Sequence, residues 1–231
     1  MCFTPSCKES KHAIPEFEVP AWAEEVVWYQ IFPERFRNGD STNDPTITSI
    51  AGAWPHDTLS PWQLHPWYSD WYEMQDYEKA NGQDLWYNIQ RRRYGGDLQG
   101  IIDKLEYLKE LGIGAIYLNP VFMAPSHHKY DGACYHHIDP WLGPDPQGDI
   151  DIMASENPLD PNSWQWTAAD KKLLEMTSKA HNLGIRIILD GVFNHIGVTS
   201  FAFKDLKEKQ QSSAYKDWFK IKSWEDPDKG S

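Results

Sequence analysis

Three residues near one strand exit could do chemistry together: Asp190, Asn194 and His195. They offer a carboxylate, an amide and an imidazole within six positions. They follow the run Ile185-Arg-Ile-Ile-Leu189, apolar and branched enough for a strand buried on both faces of a parallel sheet. At the C-terminal end of such a strand the side chains leave the core, and α/β proteins place their sites there. The plainer reading is a core strand with polar residues at its exit. The remainder of the chain has to decide between them.

A second constellation is made of oxygen. Asn38, Asp40, Asn43 and Asp44 put four hard ligands within seven residues. Calcium takes six to eight such ligands. The loop is not an EF-hand, because the glycine at position 6 and the glutamate at position 12 are missing. The alternative is a solvated turn rich in Asn and Asp. A third candidate is the pair of doublets His127-His128 and His136-His137. Adjacent residues point apart and no HExxH accompanies them, so they are assigned no metal role.

The elements that position these groups follow from periodicity and punctuation. Glu25 to Phe32 is β-branched and aromatic and stops at Pro33, which reads as the first strand. Residues 46–94 hold most of the tryptophans and show no clear period, a long excursion with short helices at most. Asp97 can cap a helix whose apolar face is Leu98, Ile101, Ile102, Leu105, Leu108 and Leu111, ended by Gly112. Ile113–Leu118 reads as the second strand, and residues 121–164 as another long loop. Thr167-Ala-Ala-Asp170 resembles a capping box that opens a helix ending at Gly184, and Ile185–Leu189 is the third strand. Three strands separated by helices imply right-handed crossovers and a parallel sheet. After His195 the pattern degrades: residues 200–213 are polar and lysine-rich. Residues 1–20 read as a loosely held leader.

Bulk properties narrow the partners. Lys and Arg number 22 against 34 Asp and Glu, a net charge of −12, which argues against nucleic acid or an anionic membrane surface. Aromatic residues make up 14% of the chain, and aromatic faces stack well on the apolar faces of sugar rings, although an aromatic core explains them too. The three cysteines show no CxxC, so neither a disulfide framework nor a zinc site is expected. No apolar run long enough to span a membrane and no signal peptide is visible, which favours a cytoplasmic location.

Four motifs in order then resemble one family. Tyr29-Gln-Ile-Phe-Pro-Glu-Arg-Phe-Arg-Asn-Gly-Asp40, Gly95-Gly-Asp-Leu-Gln-Gly-Ile-Ile-Asp103, His128-Lys-Tyr-Asp131 and Asp190-Gly-Val-Phe-Asn-His195 are similar to segments of neopullulanases, cyclomaltodextrinases and maltogenic amylases in the alpha-amylase superfamily. The resemblance implies an α/β fold: the N-terminal portion, about three βα units, of a (β/α)₈ TIM barrel. Residues 21–195 would supply three strands with insertions at 46–94 and 121–164, and residues 196–231 the start of an inserted domain B.

The implied activity is retaining hydrolysis of α-glucosidic bonds in starch-derived oligosaccharides. The family's nucleophile lies in a G-x-R-x-D motif, and no arginine follows Arg186, so the nucleophile and the acid/base are expected outside this chain. By resemblance, His195 hydrogen-bonds a sugar hydroxyl and Tyr130 stacks beneath the same ring. Asp190 supports the missing arginine, and Asn194 braces the loop. Asn38, Asp40, Asn43 and Asp44, joined by the Gly95 carbonyl and Asp97, would bind a structural Ca²⁺. Cys134 stands where relatives usually carry an acid. A transglycosylase or isomerase on the same barrel, or an inactive carbohydrate-binding homologue, fits the same motifs.

Overall fold

The structure is a computed structural model that describes residues 18–224. The expected leader and the C-terminal end therefore lie largely outside the described residues. A short helix α1 (Ala21–Glu25) takes Glu25 out of the expected first strand, which runs as β1 (Val27–Ile31). Then come α2 (Asp76–Lys79), α3 (Leu85–Arg91), α4 (Leu98–Ile102), α5 (Leu105–Glu110), β2 (Ile113–Leu118), α6 (Pro146–Ser155), α7 (Ala168–Asn182), β3 (Arg186–Leu189) and α8 (Phe201–Lys209).

The three strands form one parallel sheet in the order β1-β2-β3, with Ile31 opposite Leu118 and Leu118 opposite Leu189. Apolar side chains of α4, α5 and α7 close one core with the sheet: Leu98, Ile101, Leu105, Leu108, Ile116, Leu118, Met176 and Ala180 are all buried. Capping fixes where these helices start. Asp97 accepts from the Gly100 amide, and Thr167 and Asp170 make the reciprocal pair of bonds expected of a capping box.

Several expectations need correction. The single helix after Asp97 is two, because the Lys104 amide turns to the Ile101 carbonyl at 3.0 Å and tightens the chain by one residue. Leu111, placed on its buried face, is exposed. The third strand starts at Arg186, since the Ile185 amide still bonds the Ala180 carbonyl at 2.9 Å. Nor is that strand buried on both faces: Arg186 is exposed and Leu189 is 38% exposed, because β3 is the edge of this sheet. The loop at 121–164 contains the ten-residue α6, whose Pro146 is a first-turn proline behind the Asp145 cap. The polar stretch after His195 contains α8, capped by Ser200, with Ala202 and Leu206 buried.

Candidate functional site

The parallel strands all end on one edge, and the signature residues gather there. Backbone pairing carries past the strands: the Asn119 amide bonds the Ile31 carbonyl at 2.9 Å and the Asp190 amide bonds the Leu118 carbonyl at 3.1 Å. Asp190 is thus fixed one residue beyond the last strand pair. Its Oδ2 accepts from the Tyr130 hydroxyl at 2.8 Å, a bond that pushes the phenol up to about 12. The Tyr117 phenol is raised by a hydrogen bond to the same carboxylate. His195 Nε2 lies 2.7 Å from the Tyr130 carbonyl oxygen, and its own carbonyl accepts from the Tyr135 hydroxyl at 2.8 Å. Asn194 Nδ2 is 3.2 Å from His195 Nδ1.

Sequence reading therefore brought together residues that the fold also joins: Tyr130, Asp190, Asn194 and His195. All four keep solvent contact, with Asn194 and His195 exposed and Tyr130 at 37%. It missed Tyr117 and Tyr135. Tyr117 carried one available signal, a polar tip one residue before the end of an otherwise apolar strand.

The oxygen-rich loop sits at the start of α4. Asp97 accepts from the amides of Gly39, Asp40 and Gly100, so one buried carboxylate ties the loop to the helix cap. Asn38 Nδ2 donates to Asp44 Oδ1 at 2.5 Å. Gly95 has φ 73°, and a Cβ there would meet Asp44 Oδ1 at 2.6 Å and Asn38 Nδ2 at 2.7 Å, so glycine lets these groups close over it. Burial raises both Asp44 and Asp97 against the hydrogen bonds that lower them. Asn43 donates through Nδ2 to the Gly143 carbonyl, yet its Oδ1 is buried with no hydrogen-bond partner. An orphaned amide oxygen in a loop that also holds the buried Asp97 and the half-buried Asp44 suits a hard cation. Asp40 is the outlier: its Oδ1 is held by the Thr42 amide and hydroxyl.

The histidine doublets were expected to point apart, and His136-His137 does not. Both rings approach Glu156 Oε2, His137 Nε2 at 2.7 Å and His136 Nε2 at 4.0 Å. Residues 135–137 form a bend, so the alternation of a strand does not apply.

The family model "Alpha amylase, catalytic domain" matches residues 30–155 and 167–231. The chain belongs to the alpha-amylase family. Its three-stranded parallel sheet corresponds to part of the TIM barrel of this family's catalytic domain. Among curated relatives, Neopullulanase 2 of Thermoactinomyces vulgaris is 38% identical over 213 residues, covering 92% of this chain and 27% of that protein. The intracellular maltogenic amylase of Bacillus subtilis (strain 168) is 37% identical, covering 92% of this chain and 26% of that protein. A solved structure, the cyclic alpha-maltosyl-(1-->6)-maltose hydrolase from Arthrobacter globiformis in complex with maltose, superposes with a TM-score of 0.61 at 30% identity. That match covers 89% of this chain and 34% of that one. The chain spans about a quarter of the length of the curated alpha-amylase relatives it matches. Among the described residues no helix is long and apolar enough to cross a membrane.

Proposed function

We propose that this chain forms the first three βα units of a glycoside hydrolase that cleaves α-glucosidic bonds in starch-derived oligosaccharides by a retaining mechanism. One observation carries the reading: the bonded cluster Tyr130–Asp190–His195 stands at the C-terminal edge of a parallel sheet, still open to solvent. The His195 ring and the face of Tyr130 would hold one glucose unit, the first through a hydroxyl and the second by stacking. Bonds to the sugar that tighten as its ring flattens favour the transition state. Asp190 would receive the arginine of the next strand, and Asn194 would brace the loop. Retention needs two carboxyl groups about 5–5.5 Å apart, a nucleophile and an acid/base. Neither is assigned to a residue here; both would come from later strands, with residues 196–231 opening an inserted domain.

The experiment is reducing-sugar release from maltodextrin, cyclodextrin and pullulan, run on this chain alone and on a longer protein that contains it. Activity only in the longer protein supports the reading. Hydrolysis by residues 1–231 after rigorous purification overturns it.

The same reading includes a structural Ca²⁺ held by Asn38, Asn43, Asp44, Asp97 and the Gly95 carbonyl, with Asp40 turning from Thr42 to complete the set. Binding to the native form alone stabilises by mass action. Calcium should therefore raise the melting temperature, and Asn43→Ala should abolish the shift. No shift in the unmutated protein removes the site.

A further inference from the structure

We propose that His136, His137 and Glu156 form a site for a divalent transition-metal ion of the zinc class, separate from the oxygen-rich loop. Among the described residues these three are the group of His, Cys, Asp and Glu side chains whose donor atoms all lie within 4.8 Å of one another. Ligand atoms around a tetrahedral Zn²⁺, at about 2.0–2.2 Å from the ion, sit about 3.3 Å apart. The two separations from Glu156 Oε2, 2.7 Å to His137 Nε2 and 4.0 Å to His136 Nε2, straddle that value. Side-chain adjustments of under an ångström would make them equal.

Each donor is also aimed by a second contact. His137 Nδ1 is 2.8 Å from Asp170 Oδ2, and Asp170 is itself held by the Ile138 and Thr167 amides at 2.9 and 3.1 Å. A carboxylate behind the far ring nitrogen is the usual support of a metal-bound histidine. Glu156 Oε1 accepts from the Gln165 amide at 2.6 Å, which leaves Oε2 turned to the histidines. The His136 ring stacks on Trp164, with centroids 4.3 Å apart and planes within 12°. Glu156 and His137 side chains are 2% and 3% exposed, while that of His136 is 18% exposed. The site is therefore dry on two sides and open on the third, where an ion can enter and a water can complete the coordination.

An ordinary buried ion pair explains His137 between Asp170 and Glu156. It does not involve the second imidazole, which Trp164 stacks and Cys134 Sγ meets at 3.3 Å from Nδ1, and which is nevertheless brought to the same oxygen. The ion would join the loop after β2 to the end of α6 and the cap of α7, three segments that otherwise meet through hydrogen bonds.

The test uses untagged, metal-free protein in saturating Ca²⁺, so that hard-oxygen sites are filled. Zn²⁺ is titrated by calorimetry and Co²⁺ by its visible d–d spectrum. One equivalent of each should bind, and Zn²⁺ should raise the melting temperature. His136→Ala leaves both His137 bonds in place, so it should still fold, with a small loss of melting temperature from the missing Trp164 stack, yet weaken Zn²⁺ at least about 100-fold. Glu156→Gln is the second variant and should do the same to Zn²⁺ affinity. Failure to bind one equivalent in the presence of calcium overturns the proposal. So does binding that neither variant weakens.

Discussion

The excursion of residues 46–94 and the segment Asp190–His195 differ in where their polar groups find partners. In the excursion, the buried charges of Arg92 and Glu78 are satisfied from within. Arg92, fully buried, makes a two-pronged pair with Glu78 at 2.6 and 3.0 Å and donates to the carbonyls of Trp71 and Glu73. His65, 1% exposed, is held between Tyr77 and Ser69, with Tyr94 packed on its ring. At the strand exit, Phe193 is 84% exposed, and Asn194 and His195 face solvent. At Arg92, Glu78 and His65 the polar groups are finished by the excursion itself, while the strand exit presents polar groups that a ligand or further chain can engage. Mutations in the first should therefore cost stability, and mutations in the second should cost activity.

The largest effect is expected from Arg92→Met. Removing one partner of a buried pair leaves Glu78 charged and uncompensated, which costs about 3–5 kcal/mol. Urea unfolding of the variant checks it. A loss below about 1 kcal/mol would mean that the excursion is not internally sealed, and the contrast would fail.

Asp190→Asn reverses the roles. In the catalytically complete protein we propose, kcat/KM should fall about 100-fold or more, because the carboxylate that would position the next strand's arginine is lost. The melting temperature should hardly move, since Asn can still accept from Tyr130. Kinetics and melting on the same sample separate the two. A large melting shift with little loss of activity would make Asp190 a structural residue.

These two sites also differ in how they could be read. Asp190, Asn194 and His195 are legible because a run of branched residues ends at a carboxylate, and strand, exit and side chains are adjacent in the chain. The capping box at Thr167–Asp170 is legible for the same local reason. Glu78 and Arg92 pair across 14 residues with no period between them, and nothing in sequence says which of the excursion's acids and arginines will meet. The helix at 146–155 was hidden by its own start signal, because Asp145-Pro146 looks the same in a turn and at a helix N-terminus. His136 and His137 converge because the chain bends at 135–137, and a bend is set by packing rather than by pattern.

A pH series tests the buried side further. Burial pushes the His65 imidazole down to about 4, with Arg92 adding to the effect and Glu78 opposing it. A histidine kept neutral in the native state, with a folded value below its unfolded 6.5, contributes stability at and above pH 6.5. That stability is lost as pH falls from 6.5 towards 4, on the order of 2–3 kcal/mol. His65→Gln can keep a hydrogen bond and has no proton to take up, so its stability should fall less over that window. Parallel slopes for the two proteins would show that His65 does not couple folding to acid.

The smallest effect should come from Phe193→Ser. A large aromatic residue usually contributes stability by burial, but at 84% exposure this one has little to lose beyond a ring contact with Tyr135 at 6.0 Å. In the 231-residue chain the change should stay within about 0.5 kcal/mol, as surface substitutions do. In the longer protein, later strands and the inserted domain would pack against this edge, and burying such a ring contributes about 1.5–3 kcal/mol. The same substitution should then cost more there than in the short chain. Urea unfolding of both proteins, each with and without the substitution, forms a closed cycle. Equal small losses in the two would mean that Phe193 stays in solvent and serves the ligand instead. A large loss already in the short chain would mean that this strand exit is packed by its own neighbours, and the contrast with the excursion would disappear.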